Sequence, residues 1–504
     1  MATQPDSSSV FQPAPSLAAT TRIDVVRSVP AEAEAIGVAV ATEGAVPRQL
    51  GLDRAALNAA GFEAKVGQAL ALPQKGAATL VAVGIGTPAQ FDASALRDAA
   101  AAFARAAARH AHLATALAEA SEIKPEVAAQ AVVEGVLLAR YRYEVLKGGA
   151  KEKPLRALSL VAGAERAEAT ERGAERGRAL AEAGRLARDL ANAPPAYLTA
   201  AHLADLAAAL AAERGLEVEI FDKEALQALG CGGLLGVNAG STEPPRMVKL
   251  TFTPKGGKPR GHLALVGKGI MYDSGGINIK PRDAMHALMK MDMSGAGAVL
   301  SAMTALPALG CKSKVTAYLM CTDNMPSGSA TKMGDVLTQR GGKTVEINNT
   351  DAEGRLALAD GLVLACELKP DAVINIGTLT GACLAALGDQ IAGVFTNHDG
   401  LVTQVKAAAA RTDESVWQLP LDKRYRKQLD SVVADMKNMG EAAPGAITAA
   451  LYLAEFVGDT PWVHVDMCGT MKVDADESWR SRGATGYGAR LLADLAVNFA
   501  PPKA

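Results

Sequence analysis

The chain has 504 residues, too many for one ordinary hydrophobic core, so two domains are expected, one of them large. Hydrophobic residues make up 49% and charged residues 21%, a globular balance, and a formal net charge of -2 offers no bulk attraction to nucleic acid or an anionic membrane. Aromatic residues, at 4%, argue against stacking platforms for single-stranded nucleic acid, and the six cysteines form neither a CxxC pair nor a zinc-finger spacing, as expected of reduced, buried thiols in a cytoplasmic protein.

The N-terminus, MATQPDSSSVFQPAPSLAAT, has neither a basic start nor an apolar core, so it does not read as a secretory signal. Its Ser, Pro and Ala predict a disordered tail over 1–22. No stretch approaches about 18 uninterrupted apolar residues, so no membrane span is expected. Over 23–165 strand-like and helix-like patterns alternate, which predicts a smaller α/β domain. IGVAVA (36–41), TLVAVGIG (79–86) and ALSLVAG (157–163) read as buried strands. An Ala-rich helix is predicted from Asp92 through Ala120 and another over 124–146. His110 and His112 fall on the first of these at i, i+2, on different faces, and read as solvated or packing residues. Residues 166–192, rich in Ala, Glu and Arg, predict a connecting helix that the prolines of ANAPP terminate.

Residues 193–504 again read as α/β, a larger domain with a central mixed sheet flanked by helices. Strands are predicted at LEVEIF (216–221), MVKLTF (247–252), HLALVG (262–267), VTAYLMC (315–321), AVINIG (372–377), AGVF (392–395) and WVHVDM (462–467). Helices are predicted over 200–213, 294–306, 356–367 and 446–457.

The sequence has no P-loop, no complete dinucleotide fingerprint, no GxSxG elbow and no HExxH helix. Its seven histidines are scattered, so any bound metal must be held mainly by oxygen. Carboxylates do cluster. Asp273 follows the strand HLALVG, Asp292 sits just before a predicted helix, and Asp351 and Glu353 share NTDAEGRL (349–356) with Arg355. Four like charges at one place would repel, and two divalent cations roughly 3.5–4 Å apart would neutralise them. Gly269, Gly275, Gly276 and Gly354 would let the backbone turn tightly around such ions. Asp351 and Glu353, at i and i+2, would point the same way if that segment is extended. Each piece alone has a plainer reading: DSGG is a turn, DxE is surface charge, and Lys268 and Lys280 are solvated or paired lysines.

Together these segments resemble the M17 leucyl aminopeptidase family, the cytosol aminopeptidases. NTDAEGRL matches the family signature, and VGKGIMYDSGGINIKP (266–281) is similar to its metal-binding stretch. RDLANAPPAYLT (188–199), GSTEPPR (240–246), IGTLTGAC (376–383), ADMKNMG (434–440), PGAITAALYLAEFV (444–457) and GATGYGARLL (483–492) extend the likeness over 188–495, in order. The N-terminal part matches only in size and pattern. Departures are Met271-Tyr272 before Asp273, Asn278, and Glu441-Ala442-Ala443.

The resemblance implies a metal-dependent aminopeptidase with two divalent ions per subunit, Zn or Mn and possibly Mg or Co. One ion would be held by Lys268, Asp273, Asp292 and Glu353, the other by Asp273, Asp351 and Glu353, with the Asp351 carbonyl assisting. Lys280 would stabilise the oxyanion, and Arg355 would hold bicarbonate as an external base. The family's pocket for the first side chain maps onto Met289, Thr378, Gly381, Cys468 and Met471, with Leu379 offering backbone contacts, an apolar slot suited to Leu or Met. The resemblance also implies peptide substrates and a cytoplasmic homohexamer. His464 and Asp466 are assigned to the core or to support of the site. A competing class, a DNA-binding architectural or regulatory protein of the same fold, draws no support from the near-zero net charge.

Overall fold

Long apolar runs bounded by turn residues sort into two sheets in the computed structural model, which describes residues 12–120, 122–148 and 153–503. The first sheet has six strands in the order Arg22–Val26, Ala157–Val161, His112–Thr115, Ala35–Ala41, Thr79–Gly86 and Ala69–Leu72. All pairs are parallel except the last, at the edge. Helices Ala93–Ala106 and Pro125–Ala139 pack on it and bury Leu96, Phe103, Val132 and Leu138 with the strand residues Val81, Leu113 and Leu158.

The second sheet has eight strands and is mixed. Its order is Val416–Gln418, Ala392–Thr396, Trp462–Asp466, Ala372–Gly377, His262–Asp273, Lys314–Asn324, Arg246–Phe252 and Glu217–Phe221. The four central strands, from Trp462–Asp466 to Lys314–Asn324, are mutually parallel and almost wholly buried. Helices Ser294–Ala305 and Ala489–Asn498 cover one face, and Glu353–Glu367 and Gly445–Ala454 the other. This is the two-domain α/β architecture expected from the sequence.

Helix Ala167–Asn192 joins the two layers. Its first half is tight against Pro125–Ala139: a Cβ at Gly173 would lie 2.1 Å from the Glu126 carbonyl oxygen. Its second half contributes Leu186 and Leu190 to the core of the large sheet. Its fully buried Arg188 donates to the carbonyls of Leu138, Trp479 and Thr485, which ties the two layers together.

Several expectations need correction. The Ala-rich helix stops at Ala106, and His112–Thr115 is an interior strand between Ala35–Ala41 and Ala157–Val161. His110 therefore lies in a turn and His112 on a strand; sheet pairing overrode alanine's helical preference. The next helix ends at Ala139 rather than 146, and the Arg140 side chain turns to the carbonyls of Ala107, Ala108 and His110. The expected tail is ordered where it is described. Ala14 is buried in the large core, Ser16 donates its N–H (2.7 Å) and its hydroxyl to Asp189, and the first strand begins at Arg22. Residues 1–11 of that tail lie outside the described residues.

Candidate metal centre and substrate cavity

The site forms where parallel strands of the large sheet end, the usual place for a crevice in an open α/β sheet. Strand His262–Asp273 carries Lys268 in its middle and Asp273 at its last residue. Asp292 precedes helix Ser294–Ala305, and Glu353 opens helix Glu353–Glu367. Thr378 follows strand Ala372–Gly377, and Cys468 follows Trp462–Asp466. Asp351 lies in a turn and Glu353 in the first helical turn, so the extended geometry expected for that pair does not occur.

Carboxylate oxygens of Asp273, Asp292 and Glu353, all buried, lie within 4.8 Å of one another. Lys268 Nζ stands 2.8 Å from Asp292 and 2.8 Å from Glu353, and donates to the Thr378 carbonyl at 2.9 Å. Lys280 Nζ spans Asp273 (2.8 Å) and Asp351 (2.7 Å). Asn324 Nδ2 (2.8 Å) and Gly275 N–H (2.9 Å) both donate to Asp273 Oδ1, which fixes that carboxylate. Asn278 locks the two loops that follow Asp273 and precede Asp351 together: its N–H donates to Thr350 Oγ1, and Thr350 N–H donates to Asn278 Oδ1, each at 2.8 Å.

Electrostatics follow from crowding like charges in a dry place. Burial, then Glu353, raises Asp273 to about 6. Burial pushes Asp292 well above the usual carboxylate range, against the pull of Lys268. Burial would raise Glu353 too, but Lys268 and Lys280 outweigh it and hold the group low. Burial opposes charge on both lysines; the surrounding carboxylates win and raise each above its ordinary value. Four carboxylates against two ammonium groups leave negative charge uncompensated, and the oxygen-rich donor set with one amine fits divalent cations.

These groups line a cavity of about 280 Å³ with Met289, Thr378, Leu379, Gly381, Cys468 and Met471. The metal-site and slot residues expected from the sequence thus meet in one place. Arg355 does not line the cavity. It is 5% exposed, two residues beyond Glu353 in the same helix, and its Nη1 donates to the Asn438 carbonyl at 2.7 Å.

Asp466 supports the slot. It accepts from Thr380 Oγ1 at 2.6 Å and from the N–H groups of Leu379, Thr380 and Cys468 at 3.2–3.3 Å, binding both slot loops to one carboxylate. Sequence reasoning missed Asn324 and the wall formed by Pro281, Asp283, Met285 and His286. Asn324 lies three residues beyond the predicted strand VTAYLMC and ends the longer observed strand Lys314–Asn324; the wall residues carry no signal, because their side chains meet the cavity only through the chain's path after Lys280.

A model of the cytosol aminopeptidase family's catalytic domain matches residues 185–493, and a model of its N-terminal domain matches 48–149. Proteins named "Probable cytosol aminopeptidase" from Synechococcus sp. (strain JA-3-3Ab) and Streptomyces avermitilis are each 43% identical to this chain, over 448 and 457 residues. The alignments cover 86% and 87% of this chain and 87% of each relative. Among solved structures, the bottromycin maturation enzyme BotP in complex with Mn has a TM-score of 0.84 at 38% identity, covering 93% of this chain and 99% of BotP. A variant of tomato leucine aminopeptidase has a TM-score of 0.85 at 30% identity, covering 95% and 97%. Fold and site together define a metallo-exopeptidase, a hydrolase that acts at the amino end of peptides. The chain belongs to the cytosol aminopeptidase family.

Proposed function

We propose that the chain removes N-terminal residues from peptides, Leu and other apolar residues preferred, by two-metal hydrolysis in this cavity. The observation that carries the reading is the meeting of Lys268, Asp273, Asp292, Asp351 and Glu353 opposite an apolar slot. Lys268, Asp273, Asp292 and Glu353 would hold one divalent ion; Asp273, Asp351 and Glu353, with the Asp351 carbonyl, would hold the other. Zn or Mn suits the donors, and Mg or Co is compatible with them; BotP's complex with Mn supports a divalent ion of this kind. When bound, the ions supply polarisation of the scissile carbonyl and an acidified attacking water.

The protein's own residues do the rest. To hold an ion Lys268 would have to be the neutral amine, which would leave it two N–H groups, one of them for the Thr378 carbonyl. Lys280, favoured in its charged form by the carboxylates around it, stabilises the oxyanion of the tetrahedral intermediate. Holding two ions would engage all four of these carboxylates and leave none of the four as general base. In this reading Arg355 supplies the positive charge that holds bicarbonate for that task. Met289, Met471 and Cys468 form an adaptable apolar slot for the first side chain, flanked by Thr378, Leu379 and Gly381. The reading extends to a smaller N-terminal domain over 23–165, a connecting helix over 166–192 and a catalytic domain over 193–504. It extends also to a cytoplasmic homohexamer, in keeping with relatives named as cytosol aminopeptidases.

The test is hydrolysis of leucine anilide by protein stripped with a chelator. Activity is expected to vanish and to return with Mn or Zn. Full turnover by metal-free protein, verified by elemental analysis, would sink the reading.

A further inference from the structure

Met289 and Met471 reach the cavity from distant parts of the chain, and both segments are tied to one residue, Asn192, the last of helix Ala167–Asn192. A carbonyl at a helix end lacks a partner within the helix, and Pro194 and Pro195 forbid its continuation. Lys290 Nζ donates to the Asn192 carbonyl at 2.7 Å, a cation at the negative end of the helix. The Asn192 side chain accepts from the Ala484 N–H at Oδ1 (3.1 Å) and donates from Nδ2 to the Tyr141 hydroxyl (3.2 Å). A backbone N–H can only donate, which fixes the orientation of the amide. Gly483 comes so close that a Cβ there would lie 2.7 Å from Asn192 Oδ1, and its φ of +103° is one that few other residues adopt.

The two tied segments carry the methionines. Lys290 follows Met289 in the 3₁₀ turn Met289–Met291, directly before Asp292. Ala484 belongs to strand Gly483–Ala484, which pairs with Lys472–Val473, the residues directly after Met471. Thr485 donates its N–H to the Met471 carbonyl at 3.0 Å and its hydroxyl to the Thr470 carbonyl at 2.6 Å. Neither a single 3₁₀ turn nor a two-residue pairing holds a position by itself. The 26-residue helix does, because it is packed against both layers.

We propose that Asn192, together with Lys290, is a positioning residue for specificity: by hanging both segments from one helix end it sets the spacing of Met289 and Met471, and so which first side chains are preferred, given the reading of those residues as the slot. A side-chain substitution leaves the Asn192 carbonyl in place, so the two ties can be cut separately. N192L removes the tie to Ala484, and K290M removes the tie to the turn that carries Met289.

The test compares kcat/KM for leucine anilide and alanine anilide on one metal-loaded preparation. Their ratio does not depend on the fraction of active enzyme, so a merely structural role lowers both rates together and leaves it unchanged. N192L is expected to lower the leucine-to-alanine ratio at least about fivefold with metal content intact, because a loosened slot gives up contacts that only the larger side chain makes. N192D, which keeps an acceptor for Ala484, is expected to hold the ratio within about twofold of wild type. An unchanged ratio in N192L, or one lowered as far in N192D, overturns the positioning role. Should N192L fail to fold, K290M decides: its ratio is expected to fall at least about threefold, and an unchanged ratio overturns the role. M471A tells this inference from the reading beneath it. A lowered ratio in M471A beside an unchanged one in N192L removes the positioning role alone, whereas an unchanged ratio in M471A removes the reading of the slot and the positioning role with it.

Discussion

Lys280 is the cavity's partly exposed cation, held between Asp273 and Asp351, while Lys268 is sealed beneath it among Asp292, Glu353 and the Thr378 carbonyl. That difference in depth separates a group free to meet substrate from a group fit to ligate. Lys280→Ala is therefore expected to lower kcat by about 10²–10³ and to leave metal content unchanged, as loss of a preorganised oxyanion partner does; a steady-state assay with elemental analysis checks both. Asp189 gives a pH prediction at the same scale. Burial raises its carboxyl from 3.8 to about 6, against the hydrogen bonds from Ser16. The folded state then binds more protons than the unfolded state between these values, so stability falls as pH rises through that window, by about 3 kcal/mol in all. Asp189→Asn keeps an acceptor for Ser16 and removes the charge. Its stability advantage in urea unfolding should be nil near pH 4 and reach about 2–3 kcal/mol by pH 7. An equal advantage at both ends would refute the account.

Helix Glu353–Glu367 begins so close to strand His262–Asp273 that a Cβ at Gly354 would lie 2.5 Å from Lys268 Cε and 2.8 Å from its Nζ. In an exposed helix Gly→Ala would gain about 1 kcal/mol of propensity. Here the methyl group would push the Lys268 amine off its partners. Gly354→Ala is expected to leave the protein folded, to weaken metal binding and to cut activity at least about tenfold; titration with Mn against unfolding temperature separates the effects. The Gly275-Gly276 turn has φ of +89° and +65°, so the glycines read in DSGG serve a backbone few other residues adopt. Elements buried on both faces, such as Ala372–Gly377, were legible because every residue is apolar or small except Asn375. His112–Thr115 was not: HLAT is too short and too like its Ala-rich surroundings, and only pairing with two neighbouring strands makes it one.

At the scale of the whole molecule the two domains are joined by a dry ionic cluster. Glu134 of the N-terminal domain accepts from Arg97 (2.9 Å), Gln130 (2.7 Å) and, across the interface, Arg490 (2.7 Å), and Arg490 stacks on Trp479 at 4.1 Å. Arg97, Glu134 and Arg490 are at most 2% exposed. A buried pair adds little net stability over an apolar isostere, but removing one partner leaves charges stranded. Glu134→Ala is expected to cost about 3–5 kcal/mol in chemical unfolding, because two guanidinium groups lose one carboxylate. A loss under about 1 kcal/mol would mean that solvent reaches the cluster. Nothing in the local sequence announces this network: Glu134 and Arg490 are 356 positions apart, and each member reads alone as surface charge.

By itself the sequence determined the two-domain α/β class, the large mixed sheet, and the set of acids and lysines that the fold gathers in one cavity. Those depend on local hydrophobic period, turn glycines and short motifs, which act over a few residues. The tertiary structure decided which lysine is sealed and which is open, that Arg355 stands behind the cavity rather than in its wall, and that Asp466 holds two loops together. It also decided that Ser16, six residues before Arg22, packs against Asp189. Burial and hydrogen-bond partners come from elements distant in the chain, and no local pattern encodes which distant element will arrive.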